Sequence, residues 1–267
     1  MPEATFSRAV FMCHAPIVIP SMGGGRADMC KATTEAMFKA AEEVAATKPD
    51  RVIVFDPHLS RYPISYACIN SPENIQGDFK AFGRPDIKIE FPSDQVFFEH
   101  LVNCAGKNQF ALEGLWDDEL SHGAAVPLWF LQAVGFHGAV CIIGFPWRSP
   151  QKAHTDFGRF LKRTCAQFDG ATAIIASGDL SHRLQIGAPS GYNPRAYEFD
   201  KEFRERVEAG ELFEASQIPV DLRDLAAEDS SESMAITAGA VGETVPNARL
   251  LSYEAPFGVG YLVAVLA

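Results

Sequence analysis

Short runs in which every residue is apolar recur along the chain: Val52-Ile53-Val54-Phe55, Cys141-Ile142-Ile143 and Ala173-Ile174-Ile175-Ala176. A strand with one wet face alternates polar and apolar residues, so a strand apolar at every position belongs in a sheet covered on both faces. Helical segments separate these runs, which defines an α/β chain and predicts a three-layer sandwich, with a central mostly parallel or mixed sheet flanked by helices. One catalytic domain spanning 1–267 is expected, a length that can bury a large core. Strands are predicted at Arg8 to Cys13, Arg51 to Phe55, Ile64 to Ile69, Ile87 to Phe91, Ala139 to Phe145, Thr172 to Ala176 and Tyr261 to Leu266. The clearest helix covers Ala27 to Thr47, where Met29, Thr33, Ala36, Met37, Ala40 and Val44 share one face. Others are predicted at Asp94 to Ala105, Val126 to Val134, Gln151 to Gln167, Arg195 to Ala209 and Ser233 to Val241. Gly, Pro, Asn and Ser mark Ser71 to Pro85 and Gln185 to Pro194 as loops.

A net charge of −11 disfavours nucleic acid as a partner, because the phosphate backbone would be repelled. Prolines, glycines and charges interrupt every apolar stretch before the roughly 20 residues that a membrane helix needs. The apolar run Ala9 to Pro20 carries His14 and two prolines, so it reads as a strand and its following loop rather than a signal peptide. A soluble, cytoplasmic protein is expected. Six cysteines lie far apart with no C-x-x-C pair, which disfavours structural zinc and suits buried, reduced thiols. Gly23-Gly24-Gly25 lacks the lysine and spacing of a phosphate loop. No G-x-S-x-G elbow surrounds Ser177, leaving it a remote nucleophile candidate.

Four of the seven histidines fall where a strand runs into a loop or a helix begins: His14, His58, His122 and His182. In open α/β sheets the carboxyl ends of the strands line the ligand crevice, so these side chains can converge there. Two imidazoles and one carboxylate make the facial triad of non-haem iron(II) oxygenases, which leaves three coordination positions open. Glu228, Asp229 and Glu232 stand before an apolar helix, and composition does not choose among them. Glu254 is a further carboxylate. Asp56 and Asp179 read either as partners of an imidazole N–H or as turn residues.

The order and spacing of these elements resemble the class III extradiol ring-cleavage dioxygenases, related to the catalytic β subunit of protocatechuate 4,5-dioxygenase, along nearly the whole chain. The resemblance is carried by His14-Ala15-Pro16, Asp56-Pro57-His58, Leu120-Ser121-His122-Gly123, Ser177-Gly178-Asp179-Leu180-Ser181-His182, Glu232-Ser233-Met234 and Pro256-Phe257-Gly258-Val259-Gly260-Tyr261. It implies an Fe(II) enzyme that cleaves a catechol-type ring beside the diol with O2. His14, His58 and Glu232 would be the metal ligands, His182 the acid/base and His122 a second histidine near substrate and oxygen. It also implies a homo-oligomer, or a heteromer with a small subunit. Arg148 and Arg183 are candidates for a substrate carboxylate. The alternatives on this scaffold are a Memo-like metal-binding protein and a metal-dependent hydrolase.

Overall fold

The computed structural model describes residues 6–59, 62–71, 73–116 and 120–267. The acidic Asp117, Asp118 and Glu119 preceding His122, and Pro72 in the expected loop, lie outside the described residues. The chain runs through β1 (Arg8–Met12), α1 (Pro20–Gly23), α2 (Lys31–Ala46), β2 (Arg51–Phe55), β3 (Tyr66–Asn70), β4 (Asn74–Phe79) and β5 (Arg84–Pro92). It continues through α3 (Gln95–Lys107), β6 (Leu112–Trp116), α4 (His122–Ala133), β7 (Ala139–Gly144), α5 (Gln151–Cys165), β8 (Thr172–Ser177) and α6 (Ala196–Glu208). The last elements are α7 (Leu212–Ser216), α8 (Val220–Ala226), α9 (Ser231–Val241), β9 (Arg249–Glu254) and β10 (Tyr261–Val265).

Eight strands form one mixed sheet in the order β6-β3-β7-β2-β8-β1-β10-β9, the expected α/β sandwich. Its centre is parallel (β7, β2, β8, β1), and β10 and β9 extend it antiparallel. Successive side chains of a strand point to opposite faces. Val10, Met12, Val52 and Val54 therefore pack under α2 and α4 with Met37, Ala40 and Leu128. Their neighbours Ala9, Phe11, Ile53 and Phe55 pack under α3, α5 and α9 with Phe97, Phe157 and Ile236. Two cores on one sheet explain why the central strands show no alternation.

Three expectations change. The stretch read as a loop from Ser71 contains β4, which pairs with β5 in a separate hairpin, so Ile87 to Phe91 is a strand but not of the main sheet. Its pattern is polar on one face because the hairpin has only one covered side. The helix expected from Val126 begins at His122, with the Ser121 hydroxyl capping Gly123 N at 3.0 Å. Pro127, a residue favoured in the first turn of a helix, sits inside α4. Edge strands β6 and β9 and short helices α7 and α8 carry too little periodic sequence to stand out.

Candidate metal centre

The register of the parallel strands brings the site together. Met12 pairs with Ser177 and Phe55 with Ala176, so β1, β2 and β8 end level with one another. His14, His58 and Asp179 each lie just beyond that common edge. In space, one ring nitrogen from each of His14, His58 and His122 falls within 4.8 Å of the others. The His14 and His58 Nε2 atoms are 3.1 Å apart, and the Asp229 Oδ2 stands 3.4 Å from the first and 3.5 Å from the second. Two donors at right angles on one ion, each about 2.1 Å from it, stand about 3 Å apart. His14, His58 and Asp229 thus form a triangle of the size a single divalent ion requires.

Glu232 does not join this triangle. Its carboxylate is held by the Arg223 guanidinium, and the carboxylate that faces both imidazoles is Asp229, one of the three acids that composition left open. The physical reason is local. Asp229 precedes the helix on the strand side, where its Oδ1 also accepts Asp179 N at 2.7 Å, whereas Glu232 already lies in the first turn of α9.

Hydrogen bonding sets the tautomer of His14. Its Nδ1 lies 3.0 Å from the Ser177 hydroxyl, which itself lies 2.6 Å from the Gly123 carbonyl. A carbonyl can only accept, so the single hydroxyl proton goes to Gly123 and the imidazole must donate from Nδ1. In the neutral ring a metal would require, Nε2 is then the nitrogen that carries the lone pair. Gly123 O is free for this bond because Pro127, four residues on in α4, has no N–H to offer. His182 is oriented in the same way: its Nδ1 donates to Ala227 O at 2.7 Å, which leaves Nε2 as an acceptor. Sequence reasoning named Ser177 only as a remote nucleophile candidate and missed this partnership, because a serine at a strand end does not reveal which ring it will meet.

Asp56 and Asp179, open to both readings in the sequence, hydrogen-bond the backbone of the loops, and Asp179 Oδ2 also lies 3.8 Å from His14 Nε2. Asp56 accepts His58 N at 2.9 Å and the Ser121 hydroxyl at 2.7 Å, while Asp179 accepts His14 N at 3.0 Å. Both fix the loops that carry His58 and His14. Electrostatics favour a cation here. Burial opposes charge on His14, but Asp179 and Asp229 outweigh it and raise its pKa to about 9. Burial and the neighbouring His14 lower His58 to about 4, and burial with His58 and His14 lowers His122 to about 3. Burial works against ionisation of Asp229, yet the imidazoles of His14, His182 and His58 hold it well below the usual carboxylate range.

His122 stacks on His58 with ring centroids 4.1 Å apart and meets Phe82 of the hairpin edge-on at 5.3 Å. It also borders a cavity of about 810 Å3 lined by Ile75, Gln76, Phe82, Leu120 and Ser121. The hairpin missed in the sequence is therefore one wall of the space beside the site. Glu254 is remote in role, accepting the Thr33 N–H and hydroxyl at 2.7 and 2.6 Å to hold α2. Arg183 donates to Leu225 O at 3.4 Å, and the Arg148 backbone N–H bonds Pro63 O. All six cysteines are free thiols, and all but Cys104 are buried.

A family model described as the catalytic LigB subunit of aromatic ring-opening dioxygenase matches residues 8–264. The chain belongs to this family. Among curated relatives of this LigB-family chain, Protein CA_C1420 of Clostridium acetobutylicum is 28% identical over 95% of the chain and 56% of that protein. The 3,4-dihydroxyphenylacetate 2,3-dioxygenase of Escherichia coli is 25% identical over 59% of each. The chain thus spans between half and two thirds of the length of these relatives. Among solved structures, the uncharacterized protein JW3007 of Escherichia coli shares the fold, with a TM-score of 0.60 at 13% identity, covering 97% of this chain and 99% of that one. Among the described residues, no helix is long and apolar enough to cross a membrane.

Proposed function

We propose that this LigB-family protein is an Fe(II)-dependent extradiol dioxygenase that opens a catechol-type ring beside the diol, with His14, His58 and Asp229 as metal donors. The triangle of two Nε2 atoms and one carboxylate oxygen carries this reading. A two-histidine, one-carboxylate set suits ferrous iron and leaves coordination positions open. When bound, the metal would supply Lewis acidity toward the two hydroxyl oxygens of the diol and a place for O2 beside it.

The protein's own groups do the rest. His182 presents Nε2 as a proton acceptor, its Nδ1 being committed to Ala227 O, so it can take a diol proton and return it during ring opening. His122, kept neutral by burial and its neighbours, presents an uncharged imidazole between His58 and the cavity, where it hydrogen-bonds oxygen rather than adding charge. Phe82, Leu120 and Ile75 give that cavity an apolar wall suited to a flat ring. Both atoms of O2 enter the product, a ring-opened acid carrying an aldehyde or ketone.

The test is anaerobic loading with iron(II), addition of protocatechuate, gallate or 3,4-dihydroxyphenylacetate, and admission of air while oxygen and visible absorbance are followed. Iron-dependent oxygen uptake with a new absorbing product is expected. Stoichiometric iron without uptake on any diol would overturn the reading. Asp229→Ala should lose iron, whereas Glu232→Gln should retain it, and the opposite pattern would return the ligand role to Glu232.

A further inference from the structure

Segment 226–229 supplies three separate groups to the site. The carbonyl of Ala226 accepts His182 N at 2.9 Å, that of Ala227 accepts His182 Nδ1, and Asp229 faces the two imidazoles. Beyond Ala226, the last residue of α8, the segment has no regular element. It leaves α8 through Ala227 at φ 54°, a left-handed conformation that residues with a Cβ rarely adopt. Something must hold it there.

Arg223 grips the segment twice. Its backbone carbonyl accepts Ala227 N at 2.8 Å, and its Nε donates to Glu228 Oε1 at 2.5 Å. The Glu228 side chain is only 1% exposed, and its other oxygen accepts Ser230 N at 2.6 Å, the Ser230 hydroxyl at 2.7 Å and Ser231 N at 2.9 Å. The remaining guanidinium edge holds Glu232 in the first turn of α9. The residues on both sides of Asp229 are thereby tied to one planar, five-donor group. A rigid fork holds carboxylates with less loss of side-chain freedom than an ammonium does.

We propose that Arg223 is a positioning residue that fixes the Asp229 carboxylate and the His182 imidazole in one frame, so that donor and proton acceptor keep a constant separation. Its guanidinium reaches Glu228 and Glu232 rather than the imidazoles. The inference rests on reading Asp229 as a metal donor and His182 as the acid/base, and it gives Glu232 a structural task in place of the ligand role.

The experiment measures affinity for Zn(II) and Fe(II) alone, by anaerobic competition with a coloured chelator, in wild type, Arg223→Met and Arg223→Lys, alongside diol turnover. Arg223→Met should weaken metal binding about 10- to 100-fold, the usual cost of losing an outer support. It should also lower kcat more than KM. Arg223→Lys, which keeps charge but reaches one carboxylate, should recover part of both. Where Arg223→Met unfolds because Glu228 is left buried and unpaired, the Arg223→Met/Glu228→Gln double variant removes both charges and must still bind metal weakly. Wild-type metal affinity and kcat in either folded variant would overturn the proposal. Weakened metal binding in a protein whose wild type consumes no diol would sustain the positioning role and sink the dioxygenase reading instead.

Discussion

At the scale of single residues, the site depends on atoms that are not donors. Ser177 Oγ is wholly buried between His14 and Gly123, so Ser177→Ala strands an imidazole N–H and a carbonyl at once. Each unpaired buried group costs about 1–3 kcal/mol. The expected outcome is a lower unfolding midpoint together with a drop in metal affinity, read by thermal denaturation and chelator competition; unchanged affinity would remove Ser177 from the tautomer argument. Gly123 is constrained more directly, since a Cβ there would lie 2.2 Å from Asp56 Oδ1 and 3.2 Å from the His58 ring. Gly123→Ala should displace both, destabilise the fold by about 1–3 kcal/mol and reduce metal occupancy. Full iron loading in that variant would show that His58 tolerates the shift. His14, His58, His122 and His182 were legible in the sequence through their shared placement, where strands run into loops or a helix begins. The carboxylate was not, because three acids within five positions differ only in where the backbone turns.

Elements show a second kind of dependence. Helices α5 and α9 cross at bare backbone: a Cβ on Gly158 would lie 1.9 Å from Ile236 O, and one on Gly239 would lie 2.0 Å from Thr155 O. That approach seats α9 against β8 and so sets where Ser230 and Asp229 begin. Gly239→Ala should therefore force the helices apart, costing about 1–3 kcal/mol in urea unfolding and weakening metal binding from a distance. A variant of native stability would mean that the helices have room to slide. Pro127 makes the same point within α4. In Pro127→Ala the new N–H would compete with Ser177 for Gly123 O, and metal affinity should fall even as the helix gains a hydrogen bond.

For the whole molecule, acid sensitivity follows from histidines held neutral in the interior. His154 of α5 is fully buried, with Nδ1 3.2 Å from the Tyr66 hydroxyl and Nε2 without a hydrogen-bond partner among the described residues. Burial first, and then the charge of Arg223, lowers its pKa to about 4. The unfolded chain takes up a proton near the reference pKa of about 6.5 and the folded chain does not, so stability is present above pH 6.5 and is lost as pH falls toward 4. The slope from this group is at most about 1.4 kcal/mol per pH unit. His154→Gln should flatten that limb in chemical denaturation between pH 6.5 and 4, and an unchanged slope would assign the acid limb to the histidines of the site. Alone, the sequence determined the layers and the place of the site, because doubly buried strands must be apolar at every position and parallel strands carry their loops to one edge. Only the tertiary structure decided that Asp229 rather than Glu232 meets the imidazoles, that Ser177 sets the His14 tautomer, and that the β4–β5 hairpin walls the cavity. Those outcomes depend on strand register and helix seating, contacts between residues far apart in the chain that local periodicity does not encode.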